Sequence, residues 1–173
     1  EDVSVVTEPE RRDTFPAIAL AASYLAKEKK CNNDEIVVVM PCDVYTESRY
    51  FATIGKMVET VKNNVADLVL MGIAPTYPSE KFGYVVTKEA EAKEDVKMVE
   101  RFTEKPNEEK AKQLLKEGAY WNGGVFAFRL GYMMNIVDQY IKADTFQETH
   151  KRYTEFPKIS FDYEVAEKAQ SVA

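Results

Sequence analysis

The chain has 173 residues, 45% of them hydrophobic and 30% charged, a composition typical of a globular protein with a buried core. Its formal net charge of −6 argues against a nucleic-acid-coating protein, which needs a basic face. Two cysteines and a single histidine disfavour a Cys/His zinc site. No apolar run is long enough to cross a bilayer. We therefore expect a cytoplasmic protein that binds neither nucleic acid nor membrane.

The first half of the chain alternates between predicted strands and predicted helices. In order, these are a strand at residues 3–6, a helix at 16–26, a strand at 36–40, a helix at 47–63 and a strand at 67–73. Thr14 is the predicted N-cap of the first helix. The run at 36–40 is apolar on both faces, which is typical of a central strand in a parallel sheet. The alternation predicts a doubly wound α/β sheet.

The second half changes character. It predicts two strands at 84–87 and 96–102 around a charged turn at 88–95, a helix at 108–117, an aromatic strand at 120–128 and helices at 131–141 and 162–169. No repeat, low-complexity tract or linker interrupts the chain. Residues 1–173 are therefore predicted to belong to a single domain.

Asp43 stands just after the apolar strand. Ligands of open α/β sheets bind beyond the carboxyl ends of the strands, and an aspartate there is well suited to hold Mg²⁺ beside a phosphate. Asp43 could equally form a turn or cap a helix. Its position alone leaves both interpretations open.

The polar loop from Glu8 to Thr14 leads into the first predicted helix. Backbone donors at a helix start favour anions, and Arg11 and Arg12 could add positive charge. The alternative is a solvated loop with arginines on the surface.

A charged pair closes the predicted strand at 96–102. Glu104 and Lys105 precede Pro106, and a distorted strand end can turn both side chains into one cleft. There the lysine would meet a phosphate and the glutamate would accept sugar hydroxyls. The alternative is a surface charge pair that precedes a helix.

Two further segments combine glycine with aromatic residues. Asn122, after Trp121, offers both a donor and an acceptor to hydroxyl groups, and Gly83 lets the backbone come near a ligand. The alternative for the first segment is a packed tryptophan beside a structural turn.

The order of these motifs resembles the mannose-1-phosphate guanylyltransferases of the sugar-phosphate nucleotidyltransferase family. The similarity runs over nearly the whole chain. The matching motifs are Glu8-Pro-x-x-Arg-x-Thr14, Pro41-x-Asp43, Gly72-Ile-x-Pro-Thr-x-Pro78, Phe82-Gly-Tyr84, Phe102-x-Glu-Lys-Pro106, Trp121-Asn-Gly-Gly-Val-Phe126 and Ser160-x-Asp-Tyr163.

The resemblance implies a Rossmann-like nucleotidyltransferase fold, with a mixed, mainly parallel sheet flanked by helices and incomplete at both ends. The chain would be the central part of a single catalytic domain. The implied reaction transfers GMP from GTP to mannose 1-phosphate, giving GDP-mannose and pyrophosphate with Mg²⁺ as cofactor. The partners would be these two substrates, and the oligomeric state stays open, a homo-oligomer included.

The resemblance also implies roles for individual residues. Asp43 would be the metal ligand and, with Lys105, a catalytic residue. The nucleotide-binding residues would be Glu8, Pro9, Arg12 and Thr14. The sugar-phosphate contacts would come from Gly83, Glu104, Lys105, Asn122 and Asp162.

Alternative functions remain on the same fold. One is a non-catalytic nucleotide-sugar-binding or regulatory module, and another is a nucleotidyltransferase for a different sugar phosphate. The family's glycine-rich amino-terminal signature and its later Trp-x-Asp-x-Gly segment do not occur in this sequence. We therefore expect the chain alone to release little pyrophosphate.

Overall fold

The computed structural model describes residues 3–88 and 95–173. Its α-helices are α1 (Thr14–Ser23), α2 (Ser48–Lys62), α3 (Glu108–Lys116), α4 (Leu130–Tyr140) and α5 (Phe146–Lys151). Its strands are β1 (Ile36–Val39), β2 (Leu68–Ile73), β3 (Tyr84–Thr87), β4 (Val99–Thr103) and β5 (Tyr120–Arg129). Shorter turns are π-helical at Tyr24–Glu28 and Asp162–Ala166 and 3₁₀-helical at Tyr153–Glu155. None of the described helices is long and apolar enough to cross a membrane.

The chain divides into two compact units. The first comprises Glu1–Glu35 and Arg129–Glu164, and the second comprises Ile36–Phe128 and Val165–Ala173. The single domain predicted over residues 1–173 stays a prediction.

The first unit is built around helices α1, α4 and α5. Phe15 is fully buried, and its ring meets those of Tyr140 and Phe156 edge to face at 5.4 Å and 5.9 Å between centroids. The N-cap of α1 is Asp13, whose side chain accepts a hydrogen bond from the Thr14 nitrogen at 2.8 Å. The predicted N-cap, Thr14, is thus the first helical residue, and its hydroxyl oxygen instead accepts from the Phe161 nitrogen at 2.9 Å.

The second unit contains the sheet. The strand order is β1-β5-β3-β4, and β2 also pairs with β5. The amphipathic helix α2 packs with β1 and β2 through buried residues that include Met57, Val61 and Val69. Helix α3 covers β3 with the buried side chains of Ala111 and Leu114.

The sheet differs from the prediction of a mainly parallel arrangement. The pairs β2–β5, β3–β4 and β3–β5 are antiparallel, and Leu68 makes an isolated parallel bridge to Val172. Strand β1 lies at the end of the strand order and is half-buried, so its predicted central position is wrong. An apolar run fixes neither the direction of a strand nor its place in the sheet, and the short connection between β3 and β4 favours antiparallel pairing.

Other differences are local. Residues 3–6 form no strand, and Val3 and Val5 are 86% and 82% exposed, because a β-branched run without a partner strand has no ladder to join. The helix predicted at 162–169 is shortened to the π-helical turn at Asp162–Ala166. Helix α5 and the 3₁₀ turn were not predicted. The charged turn predicted at 88–95 lies mostly outside the described residues.

Candidate functional site

Gly83, Glu104 and Asn122 come together at one end of the β4–β3–β5 sheet. The Asn122 nitrogen donates to the Gly83 oxygen at 2.8 Å. A Cβ atom on Gly83 would lie 2.5 Å from Oε2 of Glu104 and 2.7 Å from Cζ of Phe102. Position 83 therefore accepts only glycine without movement of its neighbours. The absence of a side chain at Gly83 leaves room for the Glu104 carboxylate beside it.

Glu104 and Lys105 form an ion pair of unequal exposure. Nζ of Lys105 lies 3.0 Å from Oε1 of Glu104, and the side chains of Lys105 and Glu104 are 52% and 5% exposed. Lys105 has a φ of 44°, although it precedes Pro106, a position where the left-handed region is disfavoured. The chain thus turns sharply after β4, which places the buried carboxylate and the half-exposed ammonium side by side. Such local strain is commonly kept at binding sites.

The backbone after Trp121 is shaped by an asparagine turn. Oδ1 of Asn122 accepts from the Gly124 nitrogen at 3.1 Å, and Gly124 has a φ of 68°. The Trp121 ring packs against Tyr77 and Phe82 at 5.1 Å and 4.8 Å between centroids. Among the side chains of residues 3–88 and 95–173, only Trp121 has a buried nitrogen or oxygen, Nε1, without a hydrogen-bond partner. The structure thus contains a packed tryptophan beside an asparagine turn, and the sugar contact of Asn122 stays a prediction.

Asp43 follows β1 and is exposed. Within the described ranges, no group of three or more histidine, cysteine, aspartate or glutamate residues could hold a metal ion. A single carboxylate nevertheless suits Mg²⁺, which is usually held by one or two carboxylates together with water and substrate phosphates.

The predicted nucleotide loop lies in the first unit, and its side chains are engaged within that unit. Oε2 of Glu8 accepts from the Tyr153 hydroxyl at 2.5 Å, and Nε of Arg12 donates to the Phe156 oxygen at 3.1 Å. Arg12 also pairs with Glu10. Pro9 is exposed in the same loop. The loop is therefore anchored by the segment around residues 153–156 and is not a freely solvated turn.

Tyr153 is a residue that the motifs do not reveal. It is fully buried, and burial, followed by its hydrogen bond to Glu8, raises the pKa of the phenol far above its ordinary value. No helix or strand is predicted between residues 142 and 161, and a tyrosine in such a stretch gives no periodic signal. Asp162 is half-buried at the start of the turn Asp162–Ala166, next to Phe161, which contacts Thr14.

The structure thus gathers Gly83, Glu104, Lys105 and Asn122 in the second unit and holds the Glu8 loop in the first. A separate cavity of about 450 Å³ lies beside α2, where Nζ of Lys97 meets the Tyr120 hydroxyl at 2.9 Å. None of the predicted site residues lines this cavity. The group around Gly83 and the Glu8 loop each offer side chains suited to a phosphorylated, hydroxyl-rich ligand.

Comparisons with known proteins identify relatives of the chain. The chain is 31% identical to the alginate biosynthesis protein AlgA of Pseudomonas fluorescens, over 96% of the chain and 38% of the relative. It is 30% identical to the mannose-1-phosphate guanylyltransferase of Sinorhizobium fredii, over 98% of the chain and 36% of the relative. The chain therefore spans less than half the length of these relatives.

A solved structure and a family match complete the comparison. The crystal structure of mannose-1-phosphate geranyltransferase from Thermus thermophilus has a TM-score of 0.79 and 30% identity, covering 96% of this chain and 50% of that one. Residues 2–164 match the family described as Nucleotidyl transferase. The chain belongs to the nucleotidyl transferase family.

Proposed function

We propose that the protein transfers GMP from GTP to mannose 1-phosphate. The observation that carries the proposal is the cluster of Gly83, Glu104, Lys105 and Asn122, which combines a buried carboxylate, a half-exposed ammonium and a turn amide. These groups match the hydroxyls and the phosphate of a sugar phosphate. The relative from Sinorhizobium fredii named as a mannose-1-phosphate guanylyltransferase supports the choice of sugar and nucleotide.

In the proposed reaction, a phosphate oxygen of mannose 1-phosphate attacks the α-phosphorus of GTP. The new P–O bond forms as the bond from the α-phosphorus to the bridging oxygen of the β-phosphate breaks, giving GDP-mannose and pyrophosphate. Lys105 would hold the sugar phosphate by charge, and Glu104 would orient the sugar by accepting its hydroxyls. Gly83 would leave room for the ring, and Asn122 and Asp162 would add sugar contacts. Holding both substrates in line supplies much of the rate enhancement of such transfers.

Asp43 would hold Mg²⁺, which supplies charge neutralisation at the reacting phosphates when it is bound. Glu8, Pro9, Arg12 and Thr14 would contact the nucleotide. The exposed carboxylate of Asp43 would suit this ion. Removal of divalent ions with a chelator should therefore abolish turnover, and added Mg²⁺ should restore it.

A pyrophosphate-release assay with GTP and mannose 1-phosphate tests the proposal in the full gene product. Release with GTP but not with ATP, and with mannose 1-phosphate but not with glucose 1-phosphate, is expected. Release with a different nucleotide or sugar phosphate would reassign the substrates, and no release with any pair would contradict an enzymatic role.

Lys105→Ala tests which of the two substrates Lys105 binds. Because Lys105 acts as a point charge toward the sugar phosphate, its loss should raise the KM for mannose 1-phosphate by about tenfold, the effect of one charged hydrogen bond, while the KM for GTP changes little. The matched control is Lys112→Ala, since Lys112 pairs with Glu108 on the surface of α3. Equal effects of Lys105→Ala on both KM values would argue against this role.

A further inference from the structure

Tyr153 contacts the Glu8 loop through its hydroxyl group. Its side chain is fully buried, and its hydroxyl lies 2.5 Å from Oε2 of Glu8. Glu8 itself is exposed. The Phe156 ring packs edge to face on Tyr153 at 6.0 Å between centroids. A packed aromatic ring has few rotamers, so the hydroxyl points in a fixed direction. The phenol, whose pKa is raised by burial, stays protonated and donates its hydrogen to Glu8 at neutral pH.

The residues around Tyr153 hold the rest of the loop in the same way. Nε2 of His150 lies 3.2 Å from the Thr7 oxygen, on one side of Glu8. On the other side, Nε of Arg12 donates to the Phe156 oxygen at 3.1 Å. These contacts restrain the backbone on both sides of Glu8, and the Tyr153 hydroxyl adds a third contact that sets the direction of the carboxylate.

An ionised carboxylate accepts about four hydrogen bonds, and Tyr153 supplies one of them. The exposed part of Glu8 keeps acceptor capacity for a ligand. Guanine presents two adjacent donors on its Watson–Crick edge, N1–H and the N2 amino group, which a carboxylate accepts together. Adenine presents an acceptor nitrogen at N1, whose lone pair would face the carboxylate. A site that is built to accept from donors rejects the base that lacks them.

We propose that Tyr153 is a positioning residue that aims the Glu8 carboxylate at the donor edge of a guanine base. The inference rests on the proposed function and adds a specificity-determining residue to it. Tyr153 does not touch the nucleotide itself. It acts by restricting Glu8 to the orientation in which both carboxylate oxygens meet the base, which lowers the cost of ordering this side chain on binding.

The test compares Tyr153→Phe with Tyr140→Phe. Tyr140 is the matched control because its hydroxyl also lies 2.5 Å from a glutamate, Glu164, within the same unit. Both substitutions keep the ring and remove one hydroxyl. Dissociation constants for GTP and ATP are measured by calorimetry in the presence of Mg²⁺, and hydrogen exchange is followed at the amides of residues 7–12.

Tyr153→Phe should weaken GTP binding by about five- to tenfold, leave ATP binding unchanged and speed exchange in the loop, whereas Tyr140→Phe should do none of these. Glu8→Gln should show a similar loss for GTP, and adding Tyr153→Phe to it should cause little further loss. Circular dichroism confirms that each variant is folded.

Wild-type measurements test the proposed function, and measurements on the variants test the role of Tyr153. A wild-type protein that shows no preference for GTP over ATP contradicts the use of guanine and thereby the role of Glu8. A wild-type preference that Tyr153→Phe retains in full, or that Tyr140→Phe reduces equally, overturns the positioning role of Tyr153 and leaves the proposed function standing.

Discussion

At the scale of single residues, Gly83 is the glycine where an added Cβ atom would come closest to a neighbouring side chain. A methyl group there would meet Oε2 of Glu104 at 2.5 Å and the Phe102 ring at 2.7 Å. Gly83→Ala should therefore displace the buried carboxylate and cost about 1–3 kcal/mol of stability, the usual effect of overpacking. We also expect weaker binding of mannose 1-phosphate, because Glu104 would lose its position. Chemical denaturation and calorimetry measure the two effects.

Gly55 provides the matched control for this substitution. It lies within α2, and a Cβ atom there would have no heavy atom within 4 Å. Gly55→Ala should stabilise the protein by roughly 0.5–1 kcal/mol, because alanine loses less backbone entropy in a helix. If both alanine variants were equally stable and bound the sugar phosphate equally well, the close approach at Gly83 would have no functional consequence.

At the scale of elements, α3 depends on the residue that precedes it. The Asn107 side chain caps the helix by accepting from the Lys110 nitrogen at 2.9 Å, and Glu108 and Glu109 in the first turn complement the helix dipole. The buried side chains of Ala111 and Leu114 pack this helix on β3, which directly follows Gly83. The cap thus supports the strand that follows Gly83.

Asn107→Ala should lower the free energy of unfolding by about 1 kcal/mol, the typical loss of a side-chain N-cap. Asn107→Ser should retain most of the stability, since serine is also a good N-cap. Urea denaturation of the two variants beside the wild type gives the comparison. Equal losses in both would mean that the side chain of Asn107 contributes through something other than its cap.

The elements also show what the sequence could predict. The bounds expected for α2 and α3 differ from the observed ones by a residue or so, because helical periodicity is a local property that tertiary packing reinforces. The direction of β2 relative to β5 could not be predicted, because strand pairing is set by distant residues. The strand at residues 3–6 failed for the same reason, since its β-branched side chains find no partner.

The candidate site, too, could be predicted only in part from the sequence. Glu104, Lys105 and Asn122 were proposed from motifs that are contiguous in sequence. The structure places them near Gly83, because β3 pairs with β4 on one side and with β5 on the other. Tyr153 lies far along the chain from Glu8, and only the packing of the first unit brings the two side chains together. A contact of this kind leaves no spacing that a single sequence can reveal.

At the scale of the whole molecule, the half-buried phenol of Tyr140 links stability to alkaline pH. Burial first, and then the hydrogen bond to Glu164, raise the pKa of Tyr140 to about 12. An unfolded tyrosine titrates near pH 10, so between about pH 10 and pH 12 the unfolded chain has lost a proton that the folded chain keeps. The stability from this group is complete below about pH 10 and is lost as the pH rises toward about 12.

Tyr140→Phe should therefore lose less of its unfolding free energy than the wild type when the pH is raised from about 9 to about 11. Lysine deprotonation and the other tyrosines affect both proteins alike, so the difference between them isolates Tyr140. Tyr45→Phe is the control, because Tyr45 is fully exposed and its variant should follow the wild type. Urea denaturation at the two pH values measures all three proteins. If the Tyr140→Phe and wild-type curves fell in parallel, the phenol would titrate alike in the folded and unfolded chains, and its contact with Glu164 would not persist in solution.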